Sequence, residues 1–498
     1  MVEQRITTIV IAGGGTAGWM AAAALARFLG RDYRITLVES DAIGTVGVGE
    51  ATIPQIHLFN AGLGIDEAEF LAATQGTIKL GIEFVDWARA SHAYMHAFGS
   101  VGRGLGLVPF HHHWLRARVA GQADDYGAYS YNETAARSGR FAKSDDRPSA
   151  IPDLTYAYHF DAGLYAAMLR RYAEGRGVVR VEGEIKGYDK DGESGDLTAL
   201  VMADGRRVAG QMFIDCTGFR GLLIGDAMGS AYHDWSNFLP CDRALAVPCE
   251  RSEAFRPFTQ SMARPAGWQW RIPLQHRTGN GHVYCSSFMS DDEAAALLMA
   301  NLDGEPLAEP RPLRFTTGRR DRLWVGNTVA LGLAAGFMEP LESTSIHLVQ
   351  AGIARLLTYF PGSGIEPEAR NQFNRLSVFE WESIRDFLVL HYRANARDGD
   401  AFWDACRAMP IPDTLSERIA LFEATGRIHR EHEELFTEEG WTQVMIGQGV
   451  MPRAWHPLAD QLSGDDLAGF LTTMRDGYRR KSASLPTHGQ YLGRMLAA

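Results

Sequence analysis

Residues 6–12 (ITTIVIA) are a β-branched apolar run closed by glycines, the pattern of a buried strand. Residues 19–29 (WMAAAALARFL) then alternate at helical spacing, and Gly30 stands where a C-terminal cap falls. Residues 33–39 (YRITLVE) predict a second strand, so the chain opens β-α-β. Shorter strands are predicted at 178–181, 197–202 and 211–214. Between the opening and these strands lie a His- and aromatic-rich stretch at 92–115 and a polar stretch at 121–152 that reads as loop. Beyond about residue 345 the apolar spacing turns helical, through SIHLVQAGIARLLTYF and EARNQFNRLSVFEWESIRDFLVLHYR. No fixed-period repeat or low-complexity linker separates these regions, so the modules are expected to interleave along the chain.

Composition narrows the classes. With 498 residues, 46% of them hydrophobic and 22% charged, the chain is that of a folded protein with two or three modules. A net charge of −11 argues against broad binding to nucleic acid or anionic membranes. The 5 cysteines (Cys216, Cys241, Cys249, Cys285, Cys406) are scattered without a CxxC pair, which favours a reducing compartment and disfavours a zinc ribbon. The apolar stretch 9–30 contains Gly13, Gly14, Gly15, Gly18 and Arg27 and lacks a cleavage site. Neither a membrane helix nor a secretory signal is expected there, and the protein is expected to be cytoplasmic.

The chemistry begins at Gly13-Gly14-Gly15-Thr16-Ala17-Gly18, a GxGxxG turn between a strand and a helix. Gly13 makes the tight turn, Gly15 admits a pyrophosphate, and Gly18 allows close helix–strand packing. Thr16 and Ala17 start the helix whose N-terminus favours the anion, and Glu39 ends the next strand where it can bond a ribose hydroxyl. A dinucleotide is therefore expected, FAD or a nicotinamide cofactor. Two further turns push toward FAD: Gly47-Val48-Gly49-Glu50-Ala51-Thr52-Ile53-Pro54, and Asp215-Cys216-Thr217-Gly218 with the Asp-x-Thr-Gly pattern of flavoprotein monooxygenases. Each alone is also consistent with a plain strand-ending turn.

Three more segments make the chain resemble the flavin-dependent halogenases of the tryptophan-halogenase-like group. Gly267-Trp268-Gln269-Trp270-Arg271-Ile272-Pro273 matches that family's WxWxIP signature. Lys79 stands as the family's catalytic lysine stands, and Glu339-Pro340-Leu341-Glu342-Ser343-Thr344 is similar to its EPLEST segment. The resemblance covers roughly residues 5–350 and implies an α/β fold: a Rossmann-like FAD-binding module of the glutathione-reductase/monooxygenase type, with substrate segments interleaved. The modules would be residues 1–360, interrupted by substrate segments at about 87–150 and 220–310, and a mostly helical substrate-side module at 361–498.

The same resemblance implies reduced FAD from a separate NAD(P)H-dependent flavin reductase, dioxygen, and chloride or bromide that yields hypohalous acid. Lys79 would hold that acid by hydrogen bonding or as a haloamine, and Glu342 would stabilise the arenium ion and take its proton. Trp268 and Trp270, with Ile272 and Pro273, would wall the flavin from the substrate. Gly332 and Leu341 would join the cofactor site, and His96, Phe98, Pro109 and Phe110 the substrate site. Without the family, Lys79 reads equally as a snorkelling lysine, Glu342 as a capping carboxylate, and the two tryptophans, on one face of a strand, as core.

The sequence departs from the family twice. Tryptophan-specific members follow EPLEST with Gly, where this chain has Ser345; if that position needs positive φ, Ser costs about 1 kcal/mol there. The Thr344 and Ser345 amides remain the candidate halide site. Those members also clamp the amino acid with tyrosines and a glutamate, whereas this chain offers Trp441 and Gln448. An indole or another electron-rich arene, not strictly free tryptophan, is the expected substrate, and a homodimer is the assembly considered. The competing readings are an aromatic hydroxylase, a catalytically idle flavin protein, and a halogenase of carrier-bound substrates. His111-His112-His113 does not suggest a metal, since consecutive side chains diverge. His429 and His432 read as a solvated helix face, and Cys216 as a small buried residue.

Overall fold

The computed structural model describes residues 5–43, 49–144, 149–253 and 255–497. The chain forms two units, each from three segments: Met1–Gly76, Phe160–Ser236 and Phe315–Glu382, then Thr77–His159, Asn237–Arg314 and Ser383–Ala498. Among the described residues no helix is long and apolar enough to cross a membrane.

In the first unit the opening β-branched run becomes Thr8–Ala12, buried over its last four residues, near the middle of a six-stranded sheet. It pairs in parallel with Arg34–Glu39 on one side and Met212–Asp215 on the other. Val179–Glu182 and Thr328–Ala330 extend the sheet in parallel, and Trp324–Val325 adds an antiparallel edge. The helix Thr16–Phe28 starts three residues before the apolar pattern does, because the glycine turn runs straight into it with Gly15 as N-cap. Past its end Gly30 takes φ of 81°, the left-handed conformation expected of a helix-terminating glycine. Val10, Val38, Phe213, Leu200 and Leu223 join this sheet to the antiparallel strands Ile185–Lys190, Leu197–Met202 and Arg207–Ala209 in one apolar core. The α/β class and the Rossmann-like opening follow.

The second unit is built on a seven-stranded sheet in the order Arg311–Arg314, Arg243–Cys249, Thr278–Tyr284, Gly267–Pro273, Thr259–Arg264, Gly81–Val85 and Ala93–Ala97. Its pairings are antiparallel except that between Thr259–Arg264 and Gly81–Val85. A short ladder sets Thr77–Lys79 against Ala157–Phe160, with Thr77 opposite His159 and Lys79 opposite Ala157.

Two expectations are corrected here. The polar stretch 121–152 holds a 3-10 turn, Tyr126–Tyr129, and a helix, Tyr131–Arg137, whose Tyr131, Asn132, Glu133, Ala135 and Ala136 are buried. Its polarity misleads because Ser130 is a cap, accepting from Glu133 N, and the buried Asn and Glu are hydrogen-bonded. His429 and His432 do not sit on a helix: Asp413–Thr425 ends at Gly426, with φ of 69°, and both histidines are exposed on the irregular segment that follows.

Candidate active site

The glycine turn of the first unit is shaped by close backbone approach. Gly13 has φ of 104°, and a Cβ there would lie 2.2 Å from Cys216 O. A Cβ on Gly18 would lie 1.9 Å from Gly13 O, and one on Gly14 only 1.5 Å from Glu39 Oε2. Gly15 instead faces open space, and no side chain caps the helix N-terminus at Thr16 and Ala17, whose first turn holds no acidic residue. An uncapped helix N-terminus beside open space fits an anionic group, and a carboxylate at the end of the adjacent strand fits a ribose. Glu39 is held there by Arg180 Nε at 2.6 Å, a partner that no sequence motif announces.

Asp215 closes the sheet behind this turn and is fully buried. Its Oδ1 accepts from Thr217 N (2.9 Å) and Oγ1 (2.6 Å), and its Oδ2 from Leu223 N (2.8 Å) and Ile224 N (2.7 Å). The carboxylate is thus spent on shaping the Asp-x-Thr-Gly turn, where Gly218 takes φ of 71°. Cys216 is half-buried as a residue, but its thiol is removed from water, and that burial with the Asp215 carboxylate holds it well above the usual range. Gly332, at φ of 62°, brings the backbone so close to Ala17 that a Cβ would lie 2.8 Å from that side chain. Gly47 and Val48 lie outside the described residues. Gly49 has φ of 103°, Ala51 is buried, and burial assisted by the Asp161 carboxylate pushes Glu50 up to about 7.

Also in the first unit, Leu341, Glu342, Ser343 and Thr344 are all buried. Pro340–Glu342 is a 3-10 turn, and the helix Ser345–Thr358 starts behind Thr344 with no side-chain cap. Positive φ occurs at Ser343 (59°), not at Ser345. The expected cost at Ser345 is therefore misplaced: that residue opens a helix in an ordinary conformation, and the left-handed step is taken two residues earlier.

In the second unit Lys79 is fully buried at the end of its strand, with Nζ 5.3 Å above the Phe98 ring. That distance is within cation–π range. His96 occupies the strand Ala93–Ala97 and packs its ring against Phe387 (5.5 Å) and Phe436 (6.1 Å). The helix Glu438–Gly447 lies along this strand, where Gln443 bonds both Ala97 N (3.1 Å) and Ala97 O (3.2 Å). Trp441 is buried between Phe387 (4.7 Å) and the Arg418 guanidinium (4.3 Å), and Gln448 Nε2 donates to His391 O at 2.7 Å. Pro109 is exposed at the start of the helix Phe110–Val119, while Phe110 is buried against Tyr129 and Tyr126.

Trp268 and Trp270 share one face of Gly267–Pro273, ring centroids 6.0 Å apart, and both are buried. Ile272 is buried beside them, and Pro273 O accepts from Thr77 Oγ1 at 2.6 Å. Sequence reasoning missed Gly14, Arg180, Gln443, Thr77 and His159. For Gly14 a signal existed, a third glycine next to the two that were used; the others are ordinary residues until folded. His111 Nε2 lies 2.6 Å from Gly426 O and His112 Nδ1 accepts from His456 N at 3.2 Å; burial drives His111 down to about 4 against that carbonyl bond, and burial with the neighbouring His111 and His456 rings drives His112 to about 3. Among the described residues no three His, Cys, Asp or Glu side chains are arranged to hold a metal.

The tryptophan halogenase family profile matches residues 8–464. The fold matches Xcc4156, a flavin-dependent halogenase from Xanthomonas campestris, with 50% identity, 99% coverage of both chains and a TM-score of 0.96. It also matches BrvH, a flavin-dependent halogenase from Brevundimonas sp. BAL3, with 44% identity, 99% coverage of both and a TM-score of 0.95. Tryptophan 7-halogenase KtzQ of Kutzneria sp. (strain 744) is 34% identical over 92% of each chain. These matches favour halogenation over the aromatic hydroxylation that a shared Asp-x-Thr-Gly turn left open, and the chain belongs to the tryptophan halogenase family of flavin-dependent enzymes that halogenate aromatic rings.

Proposed function

We propose that the protein uses reduced FAD, dioxygen and chloride or bromide to halogenate an electron-rich arene such as indole, without requiring free tryptophan. A separate NAD(P)H-dependent flavin reductase supplies the reduced cofactor. The Gly13–Gly18 turn and the Thr16 and Ala17 amides would hold the pyrophosphate, and Glu39 the ribose. When bound, the reduced flavin turns dioxygen and halide into hypohalous acid. The Thr344 and Ser345 amides are the candidate halide donors.

Lys79 carries the reading. It is fully buried with its Nζ 5.3 Å above the Phe98 ring, and burying an ammonium costs on the order of several kcal/mol unless partners offset it. As ammonium, Lys79 donates a hydrogen bond to the oxygen of the hypohalous acid and polarises the oxygen–halogen bond; as free amine it forms a haloamine. In the first route the ring's π pair forms the carbon–halogen bond while the oxygen–halogen pair stays on oxygen. That oxygen leaves as water with the lysine proton, and Glu342 takes the arenium proton, for a net conversion of arene and hypohalous acid to haloarene and water. The tryptophans of the WxWxIP strand exclude direct oxygen transfer by filling space.

The substrate reading rests on Trp441 and Gln448, which stand where tryptophan-specific members carry the tyrosines and glutamate of their amino-acid clamp. The test is mass spectrometry of a reaction with FAD, reductase, NADH and oxygen, offering indole or tryptophan with chloride, bromide or neither. An isotope doublet that requires halide and is larger for indole is the expected result, and Lys79→Ala abolishes it while reduced flavin is still oxidised. A far larger yield from tryptophan overturns the substrate reading, and full product from Lys79→Ala removes the lysine from the mechanism.

A further inference from the structure

Behind Lys79 the second unit holds a set of buried polar groups that the halogenation chemistry does not use. Thr77 Oγ1 lies 2.6 Å from Pro273 O and 2.9 Å from His159 Nδ1, and His159 Nε2 lies 2.9 Å from Thr259 Oγ1. Ile78 N donates to His488 Nε2 at 3.1 Å, and His488 Nδ1 lies 3.2 Å from Phe255 O. Leu80 N donates to Pro257 O at 2.8 Å. Thr77, Lys79, His159 and His488 have no exposed surface at all.

The proton positions follow from what each partner can do. The Pro273 carbonyl only accepts, so the Thr77 hydroxyl spends its proton there and must accept from His159 Nδ1–H. In the neutral ring Nε2 is then the acceptor and takes the Thr259 hydroxyl proton. The second histidine is fixed the same way: a backbone N–H only donates, so His488 Nε2 accepts, and Nδ1–H donates to the Phe255 carbonyl. Both rings are uncharged with every nitrogen committed. Burial and the Lys79 charge hold His159 well below the usual histidine range, and burial brings His488 down to about 4. Thr77 and Lys79 lie two apart on one strand and so point to the same side, which makes the Thr77 hydroxyl the anchor for the direction in which Lys79 emerges.

We propose that His159 is a positioning residue for Lys79, acting as a neutral imidazole locked between Thr77 and Thr259 that fixes the lysine strand and thereby sets how much hypohalous acid is captured for the arene. This rests on the reading of Lys79 as the halogen-handling group. It also gives the WxWxIP signature a second use, since the carbonyl of its final Pro273 is the acceptor that orients the Thr77 hydroxyl. Thr77, His159 and His488 are fully buried, so they act on Lys79 through the strand.

The experiment is haloindole formed per flavin oxidised, with bromide and indole, in full-length Thr77→Val, His159→Leu, His159→Asn and Lys79→Ala enzymes loaded with FAD and supplied with reductase. Parallel reactions contain monochlorodimedone to trap released hypohalous acid. Thr77→Val and His159→Leu are expected to lower haloindole per flavin by about tenfold, because small misplacements of a reacting group are that costly, while trapped hypohalous acid rises. His159→Asn keeps an N–H donor toward Thr77 and is expected to recover most of the coupling. A ratio in Thr77→Val equal to that of the unaltered enzyme overturns the proposal, as does equal loss in the Asn and Leu variants, which would mark His159 as packing alone. If Lys79→Ala itself retains product, the reading of the lysine fails and this inference with it; if Lys79→Ala is inactive while the Thr77 and His159 variants stay coupled, only the inference fails.

Discussion

The glycine turn of the first unit and the lysine strand of the second each hold a few backbone atoms in place, one by leaving side chains out and the other by bringing them in. At Gly13 the obstacle to a side chain is the Cys216 backbone, 2.2 Å from where a Cβ would sit. At Thr77 the anchor is a hydroxyl bonded to Pro273 O and His159 Nδ1. Backbone cannot step aside, so the first device fails abruptly; hydrogen bonds are lost singly, so the second fails by degrees.

The largest expected effect is Gly13→Ala. It places a Cβ against backbone at φ of 104°, which any L-residue resists. We expect a loss of about 3 kcal/mol or more and no retained flavin, read by denaturant unfolding and flavin absorbance after gel filtration. Thr77→Val is the counterpart and is expected to cost about 1 kcal/mol in the same assay with flavin retained. Equal losses from the two would break the distinction. Asp215→Asn falls between them: the amide NH2 would face backbone donors at Thr217 or at Leu223 and Ile224, which accept nothing. A cost of about 2 kcal/mol is expected, with flavin affinity weakened because the turn it shapes loosens.

The two devices were unequally legible for the same reason that they fail differently. Gly13, Gly15, Gly18 and Glu39 fall within one β-α-β stretch, and their spacing carries its own explanation, so both the fold class and the dinucleotide turn could be read. The lysine strand is supported by His159 and His488, 82 and 410 residues from their partners, and no local pattern marks a threonine or histidine as a strand anchor. Arg180 is hidden likewise, 141 residues from Glu39. The stretch 121–152 was misread for another reason, because capping and buried hydrogen-bonded residues have the composition of a loop.

A pH dependence separates the units at a smaller scale. Burial raises Glu50 in the first unit and Glu439 in the second to about 7, each from an ordinary 4.5. Between those values the unfolded chain has released the proton while the folded chain keeps it, so stability falls as pH rises through the window and stays reduced above it. We expect the unaltered protein without cofactor to lose about 1–2 kcal/mol per group between pH 4.5 and 7.5, after allowance for partial exposure. Glu50→Gln should remove the first unit's share and leave that of Glu439, measured by denaturant unfolding at several pH values. A slope unchanged by that variant would mean that Glu50 titrates as an exposed carboxyl.

The smallest effect tests where backbone strain sits in the segment before the helix Ser345–Thr358. The family comparison of Gly with Ser suggests that Ser345→Gly would relieve strain. The structure predicts the opposite sign, since Ser345 is the first residue of that helix and the left-handed φ of 59° belongs to Ser343. In a helix Gly is worse than other residues by up to about 1 kcal/mol, and less in the first turn, so Ser345→Gly should destabilise by about 0.5 kcal/mol. Ser343→Gly removes a left-handed cost of about 1 kcal/mol while adding a similar unfolded-state entropy, and should change stability by less than about 0.5 kcal/mol. The two variants compared side by side in thermal unfolding therefore rank Ser343→Gly as the more stable; the reverse ranking would return the left-handed position to Ser345 and move the candidate halide amides with it.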